Sequence, residues 1–128
     1  MKLMPDTHLI LWAVKQPIRL PKVAHELMAD PDNEMFFSSV TIWEIAIKQA
    51  LKRSGFFGDG RVIRQGLLEN GFKELALTSN HAVHVADLPL IHQDPFDRIL
   101  IAQAISENIT LLTSDIKIAQ YPGPIRKV

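Results

Sequence analysis

Short, continuous apolar runs alternate along this chain with longer segments of helical periodicity. The runs, which predict strands, are residues 3–5, 35–38, 72–77, 109–113 and 125–128. The segments with apolar residues at helical spacing are 8–14, 21–29, 42–53, 62–68, 81–86, 95–107 and 116–120. Continuous apolar strands that alternate with helices are typical of a parallel sheet covered on both faces. The sequence therefore predicts a three-layer α/β/α fold with a short parallel central sheet.

Length and composition limit the class of protein further. A chain of 128 residues fits one domain, so we expect residues 1–128 to form a single unit. The sequence has no cysteine, which excludes disulfides, thiolate zinc sites and cysteine nucleophiles. No apolar run is long enough to cross a bilayer, and the beginning of the chain does not resemble a signal peptide. We therefore expect a cytoplasmic protein that does not enter a membrane.

The formal net charge is zero, with 14 basic and 14 acidic residues. Nucleic-acid-binding proteins are usually basic, so this balance counts mildly against that function. The charges are unevenly distributed, however: residues 48–64 hold five basic residues and one acid, and residues 26–44 hold five acids. The uneven distribution fits either a nucleic-acid-binding surface or two ordinary solvated surfaces.

Four acidic residues lie at predicted junctions between strands and helices. Asp6 follows the first strand, Asp115 follows the fourth, and Glu44 lies early in the helix after the second. Asp97 begins the helix over 95–107, which is apolar on nearly all sides and so is expected to be buried. Parallel sheets bind ligands beyond the carboxyl ends of their strands. We therefore expect the four carboxylates to lie near one another.

Each acid also has a purely structural interpretation. Asp6, Asp94 and Asp115 suit the N-cap position of a helix. Thr41 and Glu44 have the spacing of a capping box, and Asp97 stands three residues after Asp94 in a helix that begins with proline. Each acid taken alone is better explained as a cap than as a catalyst.

Taken together, the acids predict a metal site. Carboxylates that share a pocket repel one another, which raises the pKa of some of them. Hard divalent cations relieve that repulsion and prefer oxygen ligands. Such an ion stabilises charge on phosphate and lowers the pKa of a bound water, which is the chemistry of phosphodiester hydrolysis.

Four segments around these acids form a recognisable set. They are Asp6-Thr7-His8-Leu9-Ile10-Leu11-Trp12-Ala13, the stretch from Ser39 to Lys48 that contains Thr41-Ile42-Trp43-Glu44, Asp94-Pro95-Phe96-Asp97-Arg98-Ile99-Leu100-Ile101-Ala102-Gln103-Ala104, and Leu111-Leu112-Thr113-Ser114-Asp115. In these segments, and in their order and spacing, the sequence resembles the PIN-domain family, specifically the VapC-type toxins of toxin–antitoxin pairs. The resemblance covers nearly the whole chain.

The resemblance implies a PIN-like fold and an endoribonuclease that uses Mg²⁺ or Mn²⁺. It implies that Asp6, Glu44, Asp97 and Asp115 are the catalytic and metal-binding acids. It further implies supporting roles for Thr7, Thr113 and Asp94. The expected partners are RNA, a cognate antitoxin that fills the active-site groove, and a second copy of the chain in a homodimer.

Pro5 departs from the family pattern, which has an aliphatic residue before the first aspartate. Proline cannot donate a hydrogen bond to a sheet and is disfavoured in a central strand. Either Pro5 lies just past the last paired residue of the strand, or it loosens the strand and displaces Asp6.

Several other residues have two interpretations each. Lys48, four residues after Glu44, either forms a surface pair worth roughly 0.2–0.5 kcal/mol or contacts RNA phosphate. Arg98 similarly balances Asp97 or contacts phosphate. Trp12 and Trp43 are predicted to be core residues. Phe56 and Phe57, in a glycine-rich loop, have three interpretations: core packing, stacking against bases, or contact with the antitoxin, which we favour.

Two alternative functions remain open at this stage. The first is a PIN-like binding module whose catalytic site is weakened, an alternative raised by Pro5. The second is a phosphotransfer protein that carries phosphate on an aspartate, although His8 stands where phosphatases of that kind place a second aspartate. The sequence lacks the phosphate-binding motifs of nucleotide-binding proteins.

Overall fold

The computed structural model describes residues 1–52 and 58–128. Its sheet contains five parallel strands in the order β3-β2-β1-β4-β5. The strands are β1 (Lys2–Pro5), β2 (Glu34–Ser38), β3 (Lys73–Leu75), β4 (Thr110–Thr113) and β5 (Ile125–Lys127). β1 lies at the centre of this sheet, with β2 and β4 on its two sides.

Seven α-helices connect the strands within the described residues. They are α1 (Thr7–Lys15), α2 (Lys22–Ala29), α3 (Ser39–Ala50), α4 (Gly60–Glu69), α5 (Ser79–His84), α6 (Pro95–Glu107) and α7 (Ile116–Ala119). Short 3-10 turns follow α1 and α5, over Pro17–Arg19 and Val85–Asp87. None of the helices in the described ranges has the length and apolar character needed to cross a membrane.

The sheet buries side chains on both of its faces. Successive side chains of a strand point to opposite faces. Leu3 and Leu112 accordingly pack in one cluster with side chains of α1 and α2. Met4 and Leu111 pack in another, with the apolar side chains of α6. Helices thus cover both faces, and the predicted three-layer α/β/α fold with a parallel sheet is confirmed.

Pro5 leaves the first strand intact. It lies opposite Leu112 of β4, and the next backbone N–H, that of Asp6, donates to the Leu112 carbonyl at 2.9 Å. Pairing with β2 reaches only to Leu3 opposite Met35, so Pro5 follows the last residue paired on that side. Because backbone N–H groups alternate in direction along a strand, the N–H that proline lacks would not have pointed to β4. On the β2 side Pro5 thus lies past the last paired residue, whereas on the β4 side it is itself paired with Leu112, and the strand is not loosened.

The predicted beginning of the third helix is wrong. α3 begins at Ser39, and the Oγ of Ser38 accepts the Val40 N–H at 3.0 Å as the N-cap. Thr41 therefore lies within the first turn, and Glu44 lies in the second turn, too far along to complete a capping box. Serine ranks above threonine as an N-cap residue, which favours Ser38, the last residue of β2, over Thr41.

The prediction that Trp43 is a core residue is also wrong, because 57% of its surface is exposed. α3 directs Val40, Thr41, Glu44 and Ile45 inward. Adjacent residues of a helix are about 100° apart around its axis, so Trp43 falls beside that face. Trp12 is half-buried and packs against the cluster that contains Leu3, as predicted.

Candidate active site

Asp6 directly follows the central strand and is buried, with 2% of its surface exposed. Its two carboxylate oxygens have different partners. Oδ1 accepts the Leu9 N–H at 2.9 Å and thereby caps α1, and Oδ2 accepts the Thr113 hydroxyl at 2.6 Å. The cap interpretation of Asp6 is correct, yet it uses only one oxygen.

Thr113 connects Asp6 with Asp115. Thr113 is the last residue of β4, the strand beside β1, and its buried Oγ1 donates to Asp6 while it accepts the Asp115 N–H at 3.0 Å. Asp115 then caps α7 through Oδ1, which accepts the N–H groups of Lys117 and Ile118. The predicted supporting threonine thus holds two of the four acids at the carboxyl edge of the sheet.

Glu44 projects from the second turn of α3 and is 3% exposed. Lys48 Nζ donates to its Oε2 at 2.6 Å, which is the predicted pair between residues four apart. Its other oxygen, Oε1, is buried and has no hydrogen-bond partner among the described residues. A buried carboxylate oxygen without a donor costs free energy, commonly about 1–3 kcal/mol or more for a charged group.

Thr7 joins the helices on which two of the acids depend. Its hydroxyl and that of Thr41 form a buried hydrogen bond of 3.1 Å between α1 and α3. Thr7 directly follows Asp6, and Thr41 lies one turn before Glu44. The pair therefore fixes the spacing between the helix that Asp6 caps and the helix that carries Glu44.

Asp97 lies in the first turn of α6, where Asp94 is the N-cap. The Oδ1 of Asp94 accepts the N–H groups of Phe96 and Asp97 at 2.8 and 3.1 Å, as the cap interpretation predicts. Asp97 Oδ2 is 2.7 Å from His92 Nε2. Because its own carboxylate is free of any capping bond, Asp97 is available for another role.

Electrostatics link the four acids. Burial raises the pKa of Asp97 to about 6, the His92 hydrogen bond opposes this shift, and the charges of Asp94, Glu44 and Asp6 add to it. Burial also raises the pKa of Asp6, and the charge of Asp115 contributes to that increase. The charges of Glu44 and Asp6 thus act on Asp97, and the charge of Asp115 acts on Asp6.

The four carboxylates are nevertheless not gathered tightly. Within the described ranges, the His, Asp and Glu residues whose ligand atoms lie within 4.8 Å of one another in a group of three are His92, Asp94 and Asp97. No three of Asp6, Glu44, Asp97 and Asp115 meet that distance. Hydrogen bonds and mutual repulsion both keep the carboxylates apart. The oxygens held by hydrogen bonds belong to Asp6, Glu44 and Asp97, and their partners are Leu9, Thr113, Lys48 and His92.

The sequence model of the PIN domain family matches residues 3–124. The chain belongs to the PIN domain family.

Solved structures with the same fold support this assignment. VapBC2 from Rickettsia felis, crystallised bound to a DNA fragment from their promoter, contains a chain that matches with a TM-score of 0.73 and 17% identity, covering 100% of this chain and 99% of that chain. DNA-bound VapBC from Salmonella typhimurium gives 0.70 and 18%, with 99% and 98% covered. VapBC-1 from nontypeable Haemophilus influenzae gives 0.63 and 24%, with 94% and 91% covered. At identities this low, the structural similarity shows the fold alone. No curated protein matches the sequence significantly.

The donor set of this PIN domain fits a hard divalent cation. Asp6, Glu44, Asp97 and Asp115 offer only carboxylate oxygens, which Mg²⁺ and Mn²⁺ prefer. Glu44 Oε1 is buried and has no partner in the part of the chain that the structure describes, and the pKa values of Asp6 and Asp97 are raised. A nearby positive charge would relieve both features.

Two residues near the acids were not predicted for their roles. His92 was not predicted to be the partner of Asp97, and Thr41 was not predicted to be the partner of Thr7. Both contacts join segments through tertiary packing, so helical or strand periodicity carries no signal for them. The one available hint was the position of His92 in a loop five residues before Asp97.

Arg98 lies at the site but its guanidinium faces the preceding loop. It donates to the carbonyls of Val85, Pro89 and His92 and to the hydroxyl of Tyr121. These bonds attach the loop before α6 to that helix, so the predicted phosphate contact of Arg98 stays a prediction. Phe56, Phe57 and the basic residue Arg53 lie outside the described residues.

Proposed function

We propose that this PIN domain is a metal-dependent endoribonuclease that acts as the toxin of a toxin–antitoxin pair. The observation that carries the proposal is the buried carboxylate of Glu44, whose Oε1 has no hydrogen-bond partner among residues 1–52 and 58–128. Burial, together with the charges of Glu44 and other acids, raises the pKa of Asp97. Such an arrangement destabilises the isolated fold, and a divalent cation would compensate for it. Binding of phosphodiesters through such a cation is the function that best explains why the fold keeps this destabilising group of acids.

Asp6, Glu44, Asp97 and Asp115 would hold Mg²⁺ or Mn²⁺. When bound, the ion supplies a water of lowered pKa and neutralises charge on the phosphate. The chain's own contribution is positioning: Thr113 orients Asp6 and Asp115, Lys48 orients Glu44, and His92 orients Asp97. Thr7 and Asp94 support the acids indirectly, through the Thr41 contact and the cap of α6.

RNA is the proposed substrate, bound through its phosphates. Lys48 is partly exposed while its Nζ contacts Glu44, so it can meet a phosphate at the edge of the site. Arg98 is the other proposed contact. A chain of zero net charge depends on such local cations and on bound metal to offset the repulsion between its acids and the substrate.

The proposed partners are a cognate antitoxin and a second copy of the chain. The VapBC structures from three bacteria share the fold, which supports an antitoxin partner for this chain as well. We further propose that residues 1–128 act as one domain in the cytoplasm and form a homodimer.

The two alternatives are weaker. Membership of the PIN family argues against the phosphotransfer protein. A binding module with a weakened site was suggested by Pro5, but Pro5 leaves Asp6 hydrogen-bonded to β4 and Thr113.

The proposal is tested by incubating purified protein, free of antitoxin, with single-stranded RNA. Cleavage is expected with Mg²⁺ or Mn²⁺ and is expected to stop in excess chelator. Undiminished cleavage in chelator would contradict the proposed chemistry. Binding of the metal with no cleavage of any RNA would favour the weakened binding module.

A further inference from the structure

Trp43 presents a large aromatic surface to solvent next to the acidic site. We propose that Trp43 stacks against a nucleobase of the RNA strand, so that the site holds its substrate by a base as well as by its phosphates. This inference rests on the proposed ribonuclease function and adds to it a residue that binds bases.

The exposure of Trp43 is unusual for its size. The side chain is 57% exposed, whereas Trp12 is half-buried, packs against the core and has the Arg19 guanidinium 4.9 Å above its ring. Tryptophan is highly buried on average, and an exposed one is more typical of a binding surface. Trp43 therefore has surface available for a ligand.

A second aromatic ring supports Trp43. Phe96, half-buried at the beginning of α6, meets it at a centroid distance of 5.2 Å with an interplanar angle of 74°. This is the T-shaped arrangement that aromatic pairs favour. Phe96 thereby reduces the freedom of the Trp43 ring and lowers the entropy that ligand binding would cost.

The aromatic pair lies beside the proposed catalytic acids. Trp43 directly precedes Glu44, and Phe96 directly precedes Asp97. The 5.2 Å contact between the Trp43 and Phe96 rings joins α3 and α6 at the turns that carry Glu44 and Asp97. A base on Trp43 would consequently belong to a nucleotide near the scissile phosphate, with the partly exposed Lys48 one turn further along α3.

Stacking determines which form of RNA fits. Every base has a π face, so an aromatic platform accepts bases with little regard to sequence. In a duplex both faces of an internal base are already covered by its neighbours. Trp43 therefore selects bases that are free to leave a stack, as in single strands, loops and bulges.

Fluorescence offers a direct test. The chain has two tryptophans, so Trp12→Phe leaves Trp43 as the single tryptophan reporter. In an Asp97→Asn background, which is expected not to cleave, a short single-stranded RNA should quench this fluorescence. An abasic oligonucleotide of the same length and charge should not.

Affinity gives a second readout. Trp43→Ala should weaken binding of the single-stranded RNA by about 5- to 150-fold and leave binding of the abasic chain unchanged. Trp43→Phe should retain most of the affinity because it keeps a stacking ring. Val83→Ala, which alters an exposed apolar residue on α5, is the matched control and should have no effect.

Two results would overturn the inference while the ribonuclease function stands. One is metal-dependent cleavage by the wild type with no base-dependent quenching and equal RNA affinity in Trp43→Ala. The other is a Trp43→Ala variant that changes from dimer to monomer yet still discriminates RNA from the abasic chain, which would assign Trp43 to contact between copies. Absence of both binding and cleavage in the wild type would instead reject the proposed function and this inference together.

Discussion

Asp6 shows that a helix cap and a site carboxylate can be the same residue. One oxygen accepts the Leu9 N–H and the other accepts the Thr113 hydroxyl. Asp115 is similar, because both of its capping bonds go to Oδ1. Sequence alone presents cap and catalyst as competing interpretations, whereas two oxygens per carboxylate allow both.

Asp97 is expected to make stability depend on pH. Its pKa of about 6 lies above the ordinary 3.8, so the folded state disfavours the ionised form. The stability contributed by the protonated carboxyl is therefore fully present below about pH 4 and is lost as pH rises through about 6. In chelator, the free energy of unfolding of the wild type relative to Asp97→Asn should fall by roughly 2–3 kcal/mol between pH 4 and 7.5.

Urea unfolding of the two proteins at several pH values measures this difference. Saturating Mg²⁺ provides the control, because a bound cation neutralises the carboxylate and should remove most of the loss at pH 7.5. Parallel pH profiles for wild type and variant in chelator would show that Asp97 titrates as an ordinary exposed acid.

At the scale of elements, α3 and α6 carry most of what the site needs. The 95–107 helix was predicted with its observed bounds, since Asp94-Pro95 is a strong beginning and Asn108 adopts the left-handed conformation that ends it. The beginning of α3 could not be predicted as well. Ser38, Ser39 and Thr41 all suit a cap, and the choice of Ser38 depends on a tertiary contact between its hydroxyl and Gln103 at 2.5 Å.

The loop before α6 is expected to depend on Arg98. Arg98→Met removes four hydrogen bonds to Val85, Pro89, His92 and Tyr121, and we expect a loss of roughly 2–4 kcal/mol in the free energy of unfolding. Arg61→Met, at an exposed arginine of α4, is the matched control and should change stability by less than about 0.5 kcal/mol.

Denaturant unfolding and RNA titration of both variants separate the two roles of Arg98. If Arg98→Met is as stable as the wild type and only its RNA affinity falls, then Arg98 is a phosphate contact and the loop holds without it.

For the whole molecule, the sequence predicts the sheet type and the edge at which Asp6 and Asp115 lie. Both follow from local patterns: apolar runs identify parallel strands, and the residue after each run falls at the carboxyl edge. The strand order and the distances between acids could not be predicted. The link from Thr113 to Asp6 spans 107 positions and exists only because β4 pairs with β1. The contact between His92 and Asp97 likewise depends on how Arg98 and Tyr121 hold the loop.

If the acids bind a catalytic metal and are more than caps, Asp97→Asn and Asp94→Asn should behave differently. Asparagine keeps the capping oxygen of Asp94, so Asp94→Asn should fold normally and retain much of the activity. A neutral amide is a poor ligand for a divalent cation, so Asp97→Asn should lose metal-dependent RNA cleavage by on the order of 100-fold or more while it still folds. The measurement is the rate of cleavage of single-stranded RNA across a Mn²⁺ titration. Wild-type cleavage and metal dependence in Asp97→Asn would contradict the account, because Asp97 would then not be a member of the four-acid site.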